Sequence, residues 1–546
     1  MRRAPHASWF VVVAALAPAT SLAQTSPAEP PAAQPPTPAV QPPTLAAQPP
    51  TLAAQRPRAT TPPAEAQGPL LRVSIPGELQ LRYTAFTTFP LATTPGVPAT
   101  VQPPNLGQNQ YFEHWIRLRP SVTYGDRLRL GVQLDVARLV VPDAAAQGVG
   151  LAREPRTELF PYGVVDLRTA FLEWRSPIGV IRAGQQAFNL ALGIVANDGD
   201  RAPTFGDYRY GDLVERVSIA TRPGGSTSDY VLALAGDLVF RDRLVKLTDG
   251  DIALQGVASF FWQDHACQTD CERKRVGLVA TYRDVSFNNG ATLWAVAGDA
   301  FARWSWPQPD HVGRVFAGVE LAFVYGATDV ARTQYYSDHR VIQFGGAAEF
   351  GLEREGRYRI SLEAGYASGD RNPVDGDQRR FTFNPSHRVG LLMFPEVLAW
   401  QTARSAAIAS DPALGARPSN GAFLLPSQGG VAGAAYLYPT ALVNVGRNLD
   451  LRAGAVIGVA TTDVVDPVSV QLYGTSRNYR GGDTSHRDLG VELDLGINGR
   501  FPLPGGAVLT GGVQGAVMFP GHAFDDATGA CMGTQALASA RMGVSF

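Results

Sequence analysis

The chain has 546 residues, 45% of them hydrophobic and 17% charged, with a formal net charge of −1. A balance so close to neutrality removes any whole-chain case for nucleic-acid binding. Nothing beyond residue 24 approaches the roughly 18–20 unbroken apolar residues of a membrane-spanning helix, which excludes a polytopic helical membrane protein.

Residues 1–23 read as a signal peptide. Arg2 and Arg3 form a basic start, Trp9–Ala17 an apolar stretch, and Ser21-Leu22-Ala23 the small residues before a cleavage point. The apolar run is too short for an anchor. Residues 24–69 are mostly Pro, Ala, Gln and Thr, with a tandem repeat in which Gln41–Ala47 is followed by Gln48–Ala54. Such a segment buries too little apolar surface to offset the entropy of ordering it, so a disordered periplasmic spacer is expected.

From residue 70 to 546 the pattern has period two, the mark of strands. In 127–136, Leu128, Leu130, Val132, Leu134 and Val136 oppose Arg127, Arg129, Gln133 and Asp135. Val315, Val319, Leu321, Phe323 and Tyr325 oppose Arg314 and Glu320, and Tyr358, Ile360, Leu362, Ala364 and Tyr366 oppose Arg359 and Glu363. In 487–498, Leu489, Val491, Leu493, Leu495 and Ile497 oppose Asp488, Glu492, Asp494 and Asn498. A soluble sandwich also alternates, but here the charges lie mid-strand and no separate core region appears. An arginine facing lipid at the bilayer midplane costs roughly 2–4 kcal/mol. The apolar rows are therefore expected to face lipid and the charged rows a wet lumen. Closure follows, because an open edge in hydrocarbon leaves backbone groups unsatisfied.

The fold class predicted is all-β, a transmembrane antiparallel β-barrel of about 18 strands (16–20), with region 400–430 unassigned. Short connections such as Gly125-Asp126, Asn289-Gly290 and Glu355-Gly356 alternate with long ones such as 189–211, 368–386 and 461–486. The final stretch, ASARMGVSF, alternates and closes on Phe546. It resembles the terminal signal of bacterial outer-membrane barrels, which makes the barrel-assembly machinery a partner through that strand.

Few residues suggest chemistry. Cys267 and Cys271 sit close together in a polar connection, where an oxidising compartment favours a disulfide. Cys531 is left over. The eight histidines are scattered, and neither HExxH nor GxSxG occurs, so no catalytic residue is assigned. Two stretches carry a strand into a long Gly/Asp/Asn loop: Arg182–Asp200 (RAGQQ…ANDGD) and Glu363–Pro385 (containing YASGDRNPVDGD and FNP). Asp370, Arg371, Asp375 and Asp377 belong to the second. They read as rim architecture, as a constriction folded into the lumen, or as a Ca²⁺ site in an outer loop, though the full EF-hand spacing is absent. No other cofactor is expected.

These two stretches and the Phe-ended strand resemble alginate-export-type outer-membrane barrels and related uncharacterised porin-like barrels. The resemblance spans about 70–546 and implies a wide barrel, an arginine-rich lumen and passage of an anionic polysaccharide. It makes Arg182 and the 369–377 loop pore and loop candidates. The leading expectation is a porin-like channel in the bacterial outer membrane for polar or anionic solutes, extending to polysaccharide export. Its lumen would be lined by Arg117, Arg119, Arg129, Asp135, Arg182, Glu320, Arg359, Glu363, Arg452, Glu492 and Asp494. Arginine suits this role because its fork binds carboxylate or phosphate bidentately while staying charged. The rivals are a non-conducting barrel serving as anchor or adhesin, and an outer-membrane hydrolase. The partners expected are outer-membrane lipid and the solute, with the barrel a monomer.

Overall fold

The computed structural model describes residues 70–91, 105, 110–142, 163–200, 203–206, 211–225, 227–263, 274–308, 313–330, 336–409, 426–467, 469–470 and 474–546. Of these, 137–142, 163–164 and 407–409 are described as backbone only. The signal peptide, the spacer, Cys267 and Cys271 lie outside the described residues.

Eighteen strands form the wall. In chain order they are β1 Gly77–Phe86, β2 Gln110–Leu118, β3 Leu128–Pro142, β4 Gly163–Ser176, β5 Gly179–Phe188 and β6 Asp212–Thr221. Then come β7 Tyr230–Arg241, β8 Ile252–Gln263, β9 Arg275–Ser286, β10 Thr292–Pro307, β11 Gly313–Thr328 and β12 His339–Arg354. The last six are β13 Tyr358–Ala367, β14 Ala434–Val445, β15 Leu449–Ala460, β16 Asp488–Pro502, β17 Val508–Pro520 and β18 Gln535–Ser545. Each pairs antiparallel with the next, and β18 pairs with β1 from Glu78↔Ser545 to Phe86↔Leu537, which closes the barrel. At the seam, Gly77 N donates to Phe546 O (2.8 Å) and Phe546 N to Gly77 O (2.9 Å). The Phe546 ring lies 2.6 Å from where a Cβ on residue 77 would sit, so a side chain there would have to push the Phe546 ring and Leu118 aside.

Alternation sorts the wall as expected over most of its length. Val491, Leu493, Leu495 and Ile497 are exposed on the outside, as are Leu321, Phe323, Tyr325, Ile360 and Leu362, while Glu320, Glu492 and Asp494 are buried inside. This apolar outer face fits an outer membrane. The register shifts at four places in the wall, and two of these bulges change which way a named residue points. Gly490 (φ +96°) puts an extra residue into β16 and turns Leu489 inward, where it is 2% exposed, correcting the outward placement expected for it. On β4, the register slips between Thr169 and Leu167, and the extra residue, Arg168, points into the lumen. The short turn Asn289-Gly290 joins β9 to β10 at the rim of the long loops, not at the short-turn rim.

The lumen is not the open, wet bore that the charged rows suggested. Residues 189–200, 203–206 and 381–409 fold into it and build an apolar cluster there. Ile194, Phe205, Phe383, Leu392, Phe394 and Trp400 pack against Tyr436, Val456 and Met518 of the wall. Met393–Leu398 forms a π-helical turn, wholly buried, that leads into α1, Ala399–Ala409. Pro395 is tolerated in this first turn because its missing N–H has no intrahelical partner to lose. α1 runs into the region 400–430 that strand patterning left unassigned, of which 410–425 lie outside the described residues.

Candidate functional site

Two wall carboxylates hold the inserted segments. Around Gly193 (φ +88°) and Gly390 (φ +68°) the backbone turns so that successive N–H groups converge, a concavity that binds anions. Glu320 of β11 fills the first, accepting from the N–H groups of Leu192 (2.6 Å), Gly193 (2.7 Å) and Ile194 (3.4 Å). Glu492 of β16 fills the second, accepting from Leu391 (2.6 Å), Leu392 (2.8 Å) and Met393 (2.6 Å). The segments also lock to each other: Asn384 N donates to Ile194 O (2.8 Å), and His387 Nδ1 lies 3.1 Å from Leu192 O. His387 Nε2 meets Glu363 (3.0 Å), which also accepts from Tyr436 OH (2.5 Å). Burial alone would lower the His387 pKa, but the Glu363 carboxylate raises it to about 8. Both ring nitrogens are occupied, so His387 has none left to activate a nucleophile.

The other charged residues expected in the lumen do face inward, and most form ion pairs. Arg117 grips Asp135 at 2.6 and 2.9 Å and reaches Asp200 of the first inserted segment at 3.0 Å. Arg168 contacts Asp200 at 3.2 Å and the Asp198 carbonyl at 3.1 Å. Burial pushes the Asp200 pKa up, yet the charges of Arg168 and Arg117 hold it below the usual carboxylate range. Arg452 bonds Asp450 (2.6 Å) and the Thr204 carbonyl (2.7 Å). Arg182 pairs with Glu173, Arg119 with Glu78 (3.1 Å) and Arg359 with Glu349 (2.5 Å). Asp494 is buried in the same row as Glu492, and Arg129 is exposed near the short-turn rim.

In the second Gly/Asp loop, Asp375 pairs with Arg379 (2.9 Å) and Asp377 with both Arg379 and Arg340 (2.8 Å to the latter). Asp370 accepts the N–H groups of Asn372 and Arg379 (3.0 Å each), while Arg371 is exposed. The cation at the centre of this cluster is a guanidinium, so the residues present do not fit a calcium ion.

Beside the inserted segments lies a cavity of about 370 Å³, reaching from the long-loop rim into the barrel. Its apolar walls include Val195, Val214, Val239, Phe287, Phe381 and Leu398. Its four carboxylates are already engaged. Asp212 accepts from Asn384 Nδ2 (2.7 Å) and Asn197 N (3.2 Å), and Asp463 pairs with Arg487 (2.7 Å). Asp242 accepts from Leu244 N, Val245 N and Arg283, and Asp370 is occupied as above. Two of its three arginines are not fully matched; the third, Arg380, donates to Tyr479 OH (3.1 Å). Arg283 gives one bond to Asp242 (2.5 Å), and its Nε and Nη2 have no hydrogen-bond partner among the described residues. The Arg243 side chain makes no ion pair or hydrogen bond among the described residues. Burial, together with the charge of Arg380, lowers its pKa to about 10, so it remains charged at neutral pH.

Neither Arg243 nor Arg283 was singled out from the sequence. Arg283 shares its face with Val279, Thr281 and Val285, so alternation could have found it. Arg243 lies in the 242–251 loop, where no period applies. Arg168 was hidden by the bulge.

No model of a known protein family matches the chain, and no curated protein does. Solved structures similar to it include three proteins of Pseudomonas aeruginosa. OpdK, crystallised with vanillate, is 11% identical with a TM-score of 0.44, over 86% of this chain and 99% of that one. OpdQ is 12% identical with a TM-score of 0.43, over 87% and 97%. OccK11 (OpdR) is 10% identical with a TM-score of 0.42, over 87% and 95%. The resemblance to alginate-export-type barrels gains no support from these three. At these values the likeness says nothing about solute or site, and the barrel rests on its own strand pairing.

Proposed function

We propose that the protein is an outer-membrane channel of porin type that passes small organic anions by way of the cavity beside the inserted segments. The observation that carries this reading is the pair Arg243 and Arg283. Both have unused donors in an apolar-walled cavity whose carboxylates are all engaged. Buried donors without acceptors are costly, and a carboxylate satisfies them bidentately. The apolar walls favour a solute with an apolar body, and the volume suits a small molecule. Segments anchored across the lumen favour such a solute over a polysaccharide chain. Arg117, Arg168 and Arg182 act in this reading mainly as wall ties, each already paired. A monomer assembled through its Phe546 strand belongs to the same proposal.

The test is conductance of the full mature chain in planar bilayers, with its anion-to-cation permeability ratio. Stable steps with anion preference are expected. Arg243→Ala, a loop change, should lower affinity for a small carboxylate by about tenfold, the worth of one charge-assisted hydrogen bond. The apolar cluster across the lumen favours one other reading, a closed anchor. A correctly folded but silent barrel would establish it instead.

A further inference from the structure

Two outer-loop segments, 474–487 and 521–534, are clamped together at the rim. Asn478 Nδ2 donates to the carbonyls of Asp525 (2.9 Å) and Ala523 (3.2 Å), and its Oδ1 accepts from Arg480 N and Gly482 N (2.8 Å each). A β-bridge joins Gly481 to Asp526. Against this clamp stand four side chains that the channel reading does not use: His486, His522, Asp525 and Cys531.

Three of them, His522, Asp525 and Cys531, have the spacing of a metal's coordination sphere, and His486 stands at its edge. His522 Nδ1 lies 3.1 Å from Asp525 Oδ2 and 3.7 Å from Cys531 Sγ. The ligand atoms of these three residues all fall within 4.8 Å of one another. His486 Nδ1 reaches the same Asp525 oxygen at 3.7 Å, and the two imidazole rings are 5.7 Å apart. Ligands of a tetrahedral Zn²⁺, at about 2.0–2.3 Å from the ion, stand ~3.3–3.6 Å from each other. A second observation is independent of spacing. The Asp525 carboxylate is only 6% exposed, yet its Oδ1 has no hydrogen-bond partner among the described residues. A buried oxygen left in this state calls for a partner, and a cation is one. Two imidazoles, a thiol and a carboxylate select a borderline transition metal, not the all-oxygen shell of calcium or magnesium. The recess beside the cluster, lined by Asp483, His486, Asp525 and Asp526, gives an ion its way in.

We propose that His486, His522, Asp525 and Cys531 form a divalent transition-metal site, of zinc type, that cross-links the two outer loops. Asp525 is its buried, pre-set ligand, and the two histidines and the cysteine close on the ion from the exposed side. The thiol and the imidazoles bind as thiolate and neutral rings, releasing protons as the ion enters.

Cobalt is the probe. The sequence has three cysteines, so Cys267→Ser/Cys271→Ser leaves Cys531 as the single thiol of the full mature chain. Titration with Co²⁺ should show one equivalent bound, with tetrahedral visible bands and a thiolate-to-cobalt charge-transfer band that Zn²⁺ removes. Adding Cys531→Ser should abolish the charge-transfer band, and His522→Ala or Asp525→Asn should weaken binding at least tenfold. In the unsubstituted chain, Zn²⁺ should slow maleimide labelling of Cys531, mapped by mass, whether or not the double variant folds. A folded barrel with no cobalt spectrum, or labelling of Cys531 unchanged by Zn²⁺, would overturn the site.

Discussion

In β16 the pleat decides what each residue meets. Val491, Leu493, Leu495 and Ile497 are exposed outside, and the residues between them are partly or fully buried within. Segment 381–409 follows no such rule, for Leu391, Leu392, Met393 and Phe394 are consecutive and all nearly inaccessible. The wall takes its order from a backbone ladder shared with its neighbours in sequence. The inserted segments take theirs from side chains far away in the chain, such as Glu320 for 192–194 and Glu492 for 391–393. Two polymers of the same residues thus fold by different physics inside one barrel, and each has its own way of failing.

The largest effect should come from cutting an anchor. Glu492→Ala leaves three buried N–H groups without their acceptor, a cost of about 3–5 kcal/mol. The wall should still form, while single-channel conductance rises several-fold as the segment leaves its seat. Unchanged conductance would mean that the segment holds itself in place. The wall's own weak point is its outer face. Leu493→Arg puts a charge into lipid mid-strand and should cost about 2–4 kcal/mol, read as a lower urea midpoint with the conductance of the surviving barrels unaltered. The smallest effect is a pH step. The His387 pKa is raised from 6.5 to about 8, so its contribution is complete below about 6.5 and is lost as pH climbs through about 8. That loss is roughly 2 kcal/mol of segment anchoring. Current noise should grow between pH 7 and 9 in the native chain and show no such step in His387→Gln.

The same contrast explains what the sequence could tell. Barrel class, strand number and the inward face of Arg117, Asp135, Glu320 and Glu492 follow from period two and the cost of charge in lipid. Leu489 and Arg168 escaped because a single inserted residue flips the pleat, and Gly490 alone does not announce a bulge. A constriction folded into the lumen was one reading of the Gly/Asp loops, but the residues that pack there escaped for a deeper reason. They read as loop because their partners lie on other strands, and no local period encodes a contact between residues 192 and 320. Likewise the acidic run Asp370–Asp377 suggested a cation, and the cation proved to be the chain's own Arg379. Arg243 became visible only when the folded loops showed that its side chain has no ion pair or hydrogen bond among the described residues.

The most direct test of the account is blockade of single-channel current by benzoate, compared with the neutral, similarly sized benzyl alcohol. Brief interruptions by benzoate alone, lost in Arg243→Ala/Arg283→Ala while the open current persists, are expected if the guanidiniums of Arg243 and Arg283 receive the solute. Equal blockade by both compounds, or blockade by benzoate that survives the double substitution, would contradict it.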